Sequence, residues 1–482
     1  MMEKRSQIAI FLLLWLILWL PLIQMKTQLF PVRDLRGQAS PPEFPAFTLK
    51  GWFSNEFQEQ FNPAAEHHIG FRNGLIRFRN QLEYTLFRKA NAAGVVVGRG
   101  NYLYETDYIR SYTGRDYLGD YFWAQKFNRL ERVADTLAAL GVNLAVVLEP
   151  GKATFYPEYI PRRYLSFRSD RTNYGAILRE AERRTIPLLD LNRFFADIKP
   201  QAPYPLFPKG GIHWSVGGMV TAADTLLDFI GHRFGFDLPR IVVDRVEMSD
   251  SLRDTDDDLA RIMNLMFRPN HPEMGYPEYH LAGGDTSRLP RVLAISDSYY
   301  FNFLNARIPA RAFANEAFWY YNQEIYPETW STRTDTSSVD IRREVEGMDV
   351  VLIMVTERFY HRFDWDFTDV LYALYYPDAE KEYRYDHMRG ILRFYSWFDE
   401  LVKEADFTGK RVELLLKGHA DYLFWQDDQA GKVPHDVDYY RMNITKDSTW
   451  MQQIREKARI NGISVDEQVR VDARWLAESQ NQ

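Results

Sequence analysis

The N-terminal residues form one unbroken apolar run from Ile8 to Ile23, preceded by the basic residues Lys4 and Arg5. At about 1.5 Å per residue, this run has nearly the length that a helix needs to cross a bilayer. It is long for the apolar part of a signal peptide, and no small-x-small cleavage site follows it. We therefore predict an uncleaved signal anchor over residues 1–30, with its basic end in the cytoplasm. A cleaved signal peptide is the alternative, and both interpretations place the rest of the chain across the cytoplasmic membrane.

Farther along the chain, runs that are apolar at every position alternate with amphipathic segments of helical period. Fully apolar runs are typical of parallel strands buried on both faces, and the amphipathic segments of the helices that cover them. We predict a mostly parallel α/β sheet sandwiched between helices, with its functional groups beyond the C-terminal ends of the strands. The predicted strands cover residues 143–148, 186–191, 291–295 and 349–355, with two short ones in 94–105, and the predicted helices cover 67–89, 121–140, 173–184 and 214–230.

The same pattern divides the chain beyond the anchor into three parts. A proline-rich linker over 31–55 precedes the α/β body, which covers 56–375. Residues 376–482 form a helical C-terminal region, in which only 411–416 have the pattern of a strand. A capping box that opens at Ser464 predicts the last helix.

Composition narrows the class of protein. The chain has 482 residues, 46% of them apolar and 26% charged, as in a globular protein. A net charge of −7 without a basic stretch argues against nucleic acid as the main partner. The absence of cysteine excludes disulfides, thiolate metal sites and cysteine nucleophiles. The aromatic content of 15% is high, and several of these aromatic residues lie next to the candidate catalytic residues in the sequence.

The clearest candidate for catalysis follows the predicted strand at 291–295. Ser296, Asp297 and Ser298 come directly after this strand, before an aromatic stretch that can start a helix. A serine at such a junction projects its hydroxyl at the top of the sheet, where backbone N–H groups can stabilise an oxyanion. From this segment alone, a helix N-cap is an equally good interpretation.

A second candidate is His213, in a glycine-rich loop at 207–218 directly before a predicted helix. The loop position favours a functional role, although a lone histidine is more often structural. The adjacent His67 and His68 do not face each other on a helix, so they do not form a metal site. The acidic cluster at 254–258 lacks the glycine and terminal glutamate of a calcium loop and predicts a solvated helix start. We predict no metal and no cofactor.

Six segments of the chain occur in an order and spacing found in one known group of domains. They are HHIGFRNGLIRFRNQLEYTLF (67–87), VVVGRGNYLYE (95–105), LEPGKATFYPEYIP (148–161), KGGIHWS (209–215), VLAISDSYY (292–300) and VVLIMVTERFY (350–360). Together they resemble the SGNH-hydrolase-like domain of the alginate O-acetyltransferase type, which belongs to periplasmic proteins that acetylate exopolysaccharides. The resemblance covers roughly residues 56–370 and leaves the C-terminal region without a functional interpretation.

The resemblance implies a serine–histidine site. Ser298 matches the nucleophile of the family's Gly-Asp-Ser motif, in which Ser296 replaces the glycine. His213 matches the general base of the family's Asp-x-His-Trp motif. The oxyanion donors implied are the backbone N–H of Ser298 and the side chain of Asn322. Two further residues, Lys152 and Arg358, are candidates for contacts with the oxyanion or the substrate.

One position departs from the family's pattern. Gly211 stands where the family has the aspartate that orients the imidazole. The histidine Nδ1 then bonds a backbone carbonyl or a distant acid, for which Glu149 and Glu357, each just after a predicted strand, are candidates. Alternatively, the site is degenerate and binds polysaccharide without chemistry.

Five aromatic residues flank the candidate site and are able to stack on sugar rings. For each of them, packing in the core is the favoured interpretation, because most aromatic residues are core residues. They are Trp214, Tyr299, Tyr300, Trp319 and Tyr320.

The function that the resemblance implies is transfer of an acetyl group to an exopolysaccharide hydroxyl through an acetyl-serine intermediate. The implied partners are the polysaccharide acceptor and a membrane-bound O-acyltransferase that supplies the acetyl group. The anchor would hold the catalytic domain at the periplasmic side of the inner membrane. If water is the acceptor, the protein is an acetyl esterase, and if the site is degenerate, it is a polysaccharide-binding or envelope assembly protein.

Overall fold

The computed structural model describes residues 2–37, 40–166 and 168–480. Each predicted part of the chain includes residues outside this description, namely Met1 in the anchor, Gln38 and Ala39 in the linker, Phe167 in the body, and Asn481 and Gln482 at the C-terminus. The described helices are α1 (Met2–Thr27), α2 (Leu49–Phe53), α3 (Glu56–His68), α4 (Arg72–Phe87), α5 (Thr106–Thr113), α6 (Asp120–Ala139), α7 (Lys152–Phe155), α8 (Arg162–Leu165), α9 (Asn173–Arg183), α10 (Leu191–Ile198), α11 (Val216–Phe234), α12 (Asp258–Ile262), α13 (Tyr300–Asn305), α14 (Pro309–Ala312), α15 (Ile341–Glu346), α16 (Phe367–Tyr375), α17 (Tyr383–Arg393), α18 (Tyr395–Thr408), α19 (Val412–Gln429), α20 (Val437–Lys446), α21 (Ser448–Asn461) and α22 (Val465–Gln480). The described strands are β1 (Val95–Val97), β2 (Leu103–Glu105), β3 (Asn143–Glu149), β4 (Leu188–Asp190), β5 (Arg240–Ser249), β6 (Met274–Ala282), β7 (Val292–Ser296), β8 (Ala317–Tyr320), β9 (Glu324–Tyr326) and β10 (Val350–Thr356).

The chain divides into two units, each made of three segments. The first unit comprises Met1–Thr106, Phe207–Ser215 and Met248–Met274. The second unit comprises Asp107–Leu206, Val216–Glu247 and Gly275–Gln482. The boundaries predicted from sequence pattern at residues 30, 55 and 375 stay predictions.

In the first unit, helix α1 is the apolar N-terminal helix that the sequence predicts. Its stretch Ser6–Thr27 is long and apolar enough to cross a membrane, and its side chains are almost all exposed. Near an N-terminus, a helix of this kind is either a membrane anchor or a signal sequence.

The C-terminal end of α1 contacts the junction between α3 and α4. The Gly70 N–H donates to the Pro21 carbonyl oxygen at 3.1 Å. A Cβ at residue 70 would lie 2.2 Å from that oxygen, so only glycine permits this approach. The chain turns at the contact, with Phe71 in the left-handed region at φ 64°. The single helix predicted over 67–89 is therefore two helices, and the contact with α1 is the physical reason.

The loop that carries His213 is held by backbone hydrogen bonds within the first unit. The Leu103 N–H of β2 donates to the Lys209 carbonyl at 3.0 Å, and the Ala260 N–H of α12 donates to the Gly210 carbonyl at 3.0 Å. The short antiparallel pair β1–β2 and helix α12 therefore fix the two residues that precede the histidine motif.

The second unit is built on a six-stranded sheet with the strand order β4–β3–β10–β7–β8–β9. The first five strands are parallel, and β9 returns antiparallel beside β8. β7 and β10 are buried at every position and β3 at all but its first, as expected for strands covered on both faces. Together with the apolar N-terminal helix and the C-terminal helices, this sheet confirms the predicted fold class.

A second, two-stranded sheet pairs β5 with β6. Most positions of β5 are exposed. Its sequence therefore lacks the continuous apolar run by which the central strands are recognised, and the sequence analysis does not predict it.

The C-terminal region consists of helices α17 to α22 where it is described. Residues 411–416, predicted as a strand, belong almost entirely to the first turns of α19. Its buried residues are Val412, Leu415, Leu416, Ala420 and Phe424, and their spacing is helical rather than alternating. Ser464 Oγ accepts a hydrogen bond from the Glu467 N–H at 3.1 Å, which is the N-cap bond of the predicted capping box.

Candidate active site

In the first unit, His213 is paired with Asp258, the first residue of α12. His213 Nδ1 lies 2.7 Å from Asp258 Oδ2, and 13% and 26% of the two side-chain surfaces are exposed. A carboxylate only accepts hydrogen bonds, so in the neutral form of the ring this contact favours the tautomer with the proton on Nδ1 and the lone pair on Nε2. A histidine needs this tautomer to act as a general base through Nε2.

The other oxygen of Asp258 is fixed by the backbone. Asp258 Oδ1 accepts hydrogen bonds from the Ile212 N–H at 2.8 Å and from the Leu259 N–H at 2.7 Å. These bonds connect the carboxylate to the residue before His213 and to the start of α12. The carboxylate is therefore oriented before it acts on the imidazole.

Gly211 explains why the acid comes from this segment. A Cβ at residue 211 would lie 2.4 Å from the Thr255 carbonyl oxygen and 2.9 Å from that of Asp256. An aspartate at 211 does not fit beside residues 255–258. Glycine lets that segment approach, and the segment brings Asp258 to the histidine.

The structure gives His213 an acid that the sequence analysis does not name, because Asp258 contacts its Nδ1. Glu149 and Glu357, which the sequence suggests for this role, belong to the second unit and stay predictions. Asp258 belongs to an acidic cluster at the start of a helix. Because Gly211 stands where the histidine motif has its aspartate, this cluster is the signal in the sequence that could have indicated another acid.

The acidic cluster at 254–258 differs from the expectation in a second way. It does start a helix, but it is not solvated throughout, since Asp256 and Asp257 are 1% and 3% exposed. Asp257 forms ion pairs with Arg261 and Arg268. The backbone carbonyl groups of Thr255 and Asp256 in this segment lie against Gly211.

In the second unit, Ser298 lies two residues beyond the end of β7, at the entrance to α13. Asp297 Oδ1 accepts a hydrogen bond from the Tyr299 N–H at 2.9 Å, which closes a tight turn around the serine. Asp297 Oδ2 accepts from the N–H and the hydroxyl of Thr356, at 3.2 Å and 2.6 Å. The serine turn is thereby bound to the end of the neighbouring strand β10, and Ser298 itself is half-buried.

Glu149 ends β3 and is the register partner of Thr356. Its side chain is fully buried, and neither carboxyl oxygen has a hydrogen-bond partner among the described residues. Burial, followed by the charge of Asp297, raises the pKa of Glu149 well above its usual value. Burial therefore favours the neutral form of this carboxyl group.

Glu357 follows β10 and is also buried. Its carboxylate accepts hydrogen bonds from the Thr154 hydroxyl and, at 3.3 Å, from the Thr154 N–H. Burial raises the pKa of Glu357 to about 8, and the bonds from Thr154 oppose that rise. A Cβ at Gly151 would lie 1.8 Å from a Glu357 oxygen, so glycine is required where the chain passes this carboxyl group.

The other predicted polar contacts lie at strand ends of the second unit. Asn322 Nδ2 donates to the Trp365 carbonyl at 3.1 Å, and its Oδ1 is buried without a partner in the described part of the chain. Arg358 has its guanidinium 4.5 Å from the Phe359 ring centre. Lys152 is fully buried at the start of α7.

The five predicted stacking residues are largely internal. Tyr299 is fully buried, Trp214 and Tyr300 are 1% exposed, and Trp319 is 3% exposed. Tyr299 receives a hydrogen bond from the Tyr108 hydroxyl at 3.1 Å. A fully packed ring has no face for a sugar, so only Tyr320, which is half-buried and stacks on Tyr321 at 4.0 Å between ring centres, keeps accessible surface.

A cavity of about 430 Å³ lies within the second unit, beyond the ends of β8 and β10. Its walls include Tyr321, Asn322, Trp365 and Arg362. Two buried wall atoms, Asn322 Oδ1 and Trp365 Nε1, have no hydrogen-bond partner among the described residues. Aromatic faces with unpaired acceptors and donors are the features of a site that takes a polar ring-shaped ligand.

No group of three or more histidine, aspartate or glutamate side chains within residues 2–37, 40–166 and 168–480 is arranged to hold a metal ion. The second unit carries the Ser298 hydroxyl and two buried carboxylic acids, and the first unit carries the His213–Asp258 pair.

The described residues combine a mostly parallel sheet, a serine turn after β7 and a histidine–aspartate pair. Residues 95–264 match the family described as SGNH hydrolase-like domain, acetyltransferase AlgX. The resemblance found in the sequence is thereby confirmed over these residues. No curated protein matches the chain.

Three solved structures are similar to parts of the chain. The O-acetyltransferase domain of Pseudomonas putida AlgJ is 19% identical, with 58% of this chain and 99% of that chain covered and a TM-score of 0.39. Pseudomonas aeruginosa AlgX is 13% identical, with 57% and 66% covered and a TM-score of 0.37. Bacillus cereus PatB1 is 10% identical, with 55% and 96% covered and a TM-score of 0.34. These relations are distant.

Proposed function

We propose that the protein is a membrane-anchored periplasmic O-acetyltransferase that acetylates an exopolysaccharide through an acetyl-serine intermediate. The observation that carries the proposal is the 2.7 Å contact between His213 Nδ1 and Asp258 Oδ2. Asp258 thus takes the place of the aspartate in the family's motif, at whose position this chain has Gly211. It therefore supports a working histidine base over a degenerate, non-catalytic site.

In the first half-reaction, Ser298 Oγ attacks the carbonyl carbon of an acetyl donor while His213 Nε2 accepts the hydroxyl proton. The tetrahedral oxyanion then collapses, the bond to the donor's leaving group breaks, and the imidazolium returns the proton to that group. Asp258 stabilises the imidazolium while the proton is on it. The Ser298 backbone N–H is the proposed oxyanion donor, with Asn322, Lys152 and Arg358 as further candidates.

In the second half-reaction, a sugar hydroxyl gives its proton to His213 and attacks the acetyl-serine. The Ser298 oxygen leaves, takes the proton from the imidazolium and restores the enzyme. The cavity beyond β8 and β10, with the exposed surface of Tyr320 near its Tyr321 wall, is the proposed place for a sugar ring of the acceptor.

The proposal includes anchoring by α1 in the membrane and a membrane-bound source of the acetyl group. Helix α1 has the length, the apolar sequence and the exposed side chains of a membrane span, which supports anchoring. The proposed donor partner is a membrane-bound O-acyltransferase, which an anchored domain would meet in the plane of the same membrane.

The central experiment incubates the purified full chain with an activated acetyl ester, quenches with acid and weighs the intact protein. We expect one acetyl group on the wild type, none on Ser298→Ala, and one on the control Ser296→Ala, which alters the neighbouring serine of the same turn. No adduct on the wild type, or an adduct that persists in Ser298→Ala, would refute the acetyl-serine proposal.

The same material distinguishes a transferase from an esterase and from a binding protein. In a transferase, the adduct persists in water and disappears when an acceptor oligosaccharide is added. If the adduct disappears equally fast without acceptor, the protein is an esterase. If oligosaccharide binds but no adduct and no turnover are seen, the non-catalytic alternative is correct.

A further inference from the structure

Helix α4, in the first unit, has an exposed apolar stripe. Leu75, Phe78, Leu82 and Leu86 are 59%, 51%, 42% and 66% exposed. At about 100° per residue, these four positions fall within an arc of roughly 80° on one side of the helix. Four large apolar side chains along one side of a helix are a continuous surface rather than scattered exposed residues.

The stripe is not the side by which α4 packs in its own unit. The buried residues of the helix are Asn80 and Tyr84, which lie opposite the stripe on the helical wheel. Asn80 Nδ2 donates to the Met263 carbonyl at 2.9 Å and so fixes that side of α4 to the segment after α12. The helix is therefore held by its polar side, and its apolar side is presented outward.

The segment that carries the stripe has a net positive charge. Residues 72–89 contain four arginines and one lysine but only one acid, Glu83, in a chain whose net charge is −7. Arg79, which flanks the stripe and is 73% exposed, and Lys89 both pair with Glu83, at 2.8 Å and 2.7 Å, and Arg88 follows the end of the helix. An amphipathic helix with large apolar side chains on one side and arginine at its flanks is typical of a segment that lies in the interface of an anionic membrane.

The position of α4 next to α1 points to the same partner. α4 begins two residues after Gly70, whose N–H is bonded to Pro21 in the last turns of α1. The rings of Phe30 and Phe71 lie 5.9 Å apart and add a second contact between the two segments. The stripe therefore starts where the apolar helix ends, at the level of the bilayer surface if α1 crosses it.

We propose that the stripe of α4 lies on the outer leaflet of the membrane that α1 crosses, with its apolar side chains among the acyl chains and its arginines at the lipid phosphates. The proposal rests on the proposed anchoring by α1 but not on catalysis. Contact with lipid would cover the leucine and phenylalanine side chains of α4, which are exposed because the helix packs through its polar side.

The test uses the absence of cysteine, which makes any introduced cysteine the only labelling site in the chain. Three single variants of the full chain, Leu82→Cys, Leu13→Cys and Phe407→Cys, carry a nitroxide and are reconstituted in vesicles of phosphatidylcholine with phosphatidylglycerol. Phe407 is the matched control, because it is an apolar helix residue that is 93% exposed in the second unit. The measurement is the ratio of collisional relaxation by oxygen, which concentrates in lipid, to that by a water-soluble nickel chelate.

We expect the label at Leu82 to report the interfacial region, the label at Leu13 the bilayer interior, and the label at Phe407 water. A larger phosphatidylglycerol fraction should move the Leu82 label deeper, because more arginine contacts form. A deep Leu13 label with a Leu82 label as aqueous as that at Phe407 would overturn the docking proposal and leave the anchor intact. A Leu82 label shielded from both oxygen and nickel would also overturn it, since protein rather than lipid then covers the stripe. An aqueous Leu13 label would refute both the anchor and the docking.

Discussion

At the scale of single residues, the histidine–aspartate pair depends on the absence of a side chain at Gly211. The Cβ distances of 2.4 Å and 2.9 Å to two carbonyl oxygens show that residues 255–258 occupy the volume that an aspartate side chain would need. The histidine motif therefore has no aspartate of its own, and Gly211 leaves room for the segment that carries Asp258. The two positions are therefore expected to respond to mutation as a pair.

Replacing Asp258 with asparagine should lower the rate of acetyl transfer by about 10²- to 10⁴-fold. The amide oxygen can still accept from the Ile212 and Leu259 N–H groups, but an amide no longer stabilises the imidazolium. Acetylation rates of Asp258→Asn across a pH series would show the loss and an altered pH profile. The control is Asp254→Asn, an exposed acid of the same cluster, and equal effects of both changes would contradict the role of Asp258.

Replacing Gly211 with alanine should destabilise the protein by about 1–3 kcal/mol, because the added methyl overpacks against residues 255–256. The same displacement should move Asp258 and lower the acetylation rate. Gly74 in α4 is the control, since a Cβ there meets nothing within 4 Å and alanine is the better helix former. Melting temperatures decide the matter, and a Gly211→Ala variant as stable as Gly74→Ala would show that the segment is not confined as described.

Glu357 should make the stability of the protein depend on pH. Burial raises its pKa from 4.5 to about 8, so the folded state binds a proton that the unfolded state releases between these values. The contribution of Glu357 to stability is then largest below pH 4.5 and falls as the pH rises toward 8, by an amount on the order of 5 kcal/mol. In Glu357→Gln, which cannot ionise, denaturant unfolding should show a shallower decline, and the slope that remains comes from other buried acids such as Glu149. The exposed control Glu478→Gln should retain the full decline, and equal slopes in the two variants would contradict the assignment.

At the scale of elements, the serine turn is fixed by a bond between two strands. Asp297, directly after β7, accepts hydrogen bonds from both the N–H and the hydroxyl of Thr356 at the end of β10. These strands are neighbours in the sheet, so the bond transmits the rigidity of the sheet to the turn that carries Ser298.

Replacing Thr356 with valine keeps the shape of the side chain and removes the hydroxyl. The buried Asp297 carboxylate then lacks one donor, which should cost about 1–3 kcal/mol of stability and slow acetylation of Ser298. The control is Ser111→Ala, because the Ser111 hydroxyl is buried without a hydrogen-bond partner among the described residues. Unfolding free energies and acetylation rates would be compared, and a Thr356→Val variant as stable and as active as Ser111→Ala would exclude the proposed support.

The elements that could be predicted from the sequence are those whose pattern follows from burial. Continuous apolar runs identify β3, β7 and β10 because both faces of these strands are covered. The exposed β5 has no such run, and the leucines at the start of α19 resemble a strand until their spacing to Ala420 is included. The Ser298 turn follows from its strand, whereas the acid that completes the histidine pair comes from a contact between distant segments, which no local pattern contains.

At the scale of the whole molecule, the proposed reaction needs one group from each unit. Ser298 and its Asp297–Thr356 support belong to the second unit, and the His213–Asp258 pair belongs to the first. Each unit fixes its own group by bonds within itself, and neither group alone can complete the proton transfer.

This division predicts how the losses combine when the serine and the histidine are changed together. Ser298→Ala and His213→Ala should each reduce turnover by several orders of magnitude, and the double variant should be no worse than the more damaging single change. Residues that serve one proton-transfer step are strongly non-additive in this way. The measurement is the turnover of an acetyl ester by wild type, both single variants and the double variant, with Ser296→Ala plus His213→Ala as the matched control. If the logarithmic losses of Ser298→Ala and His213→Ala simply add, the two residues act independently, and the serine–histidine mechanism is wrong.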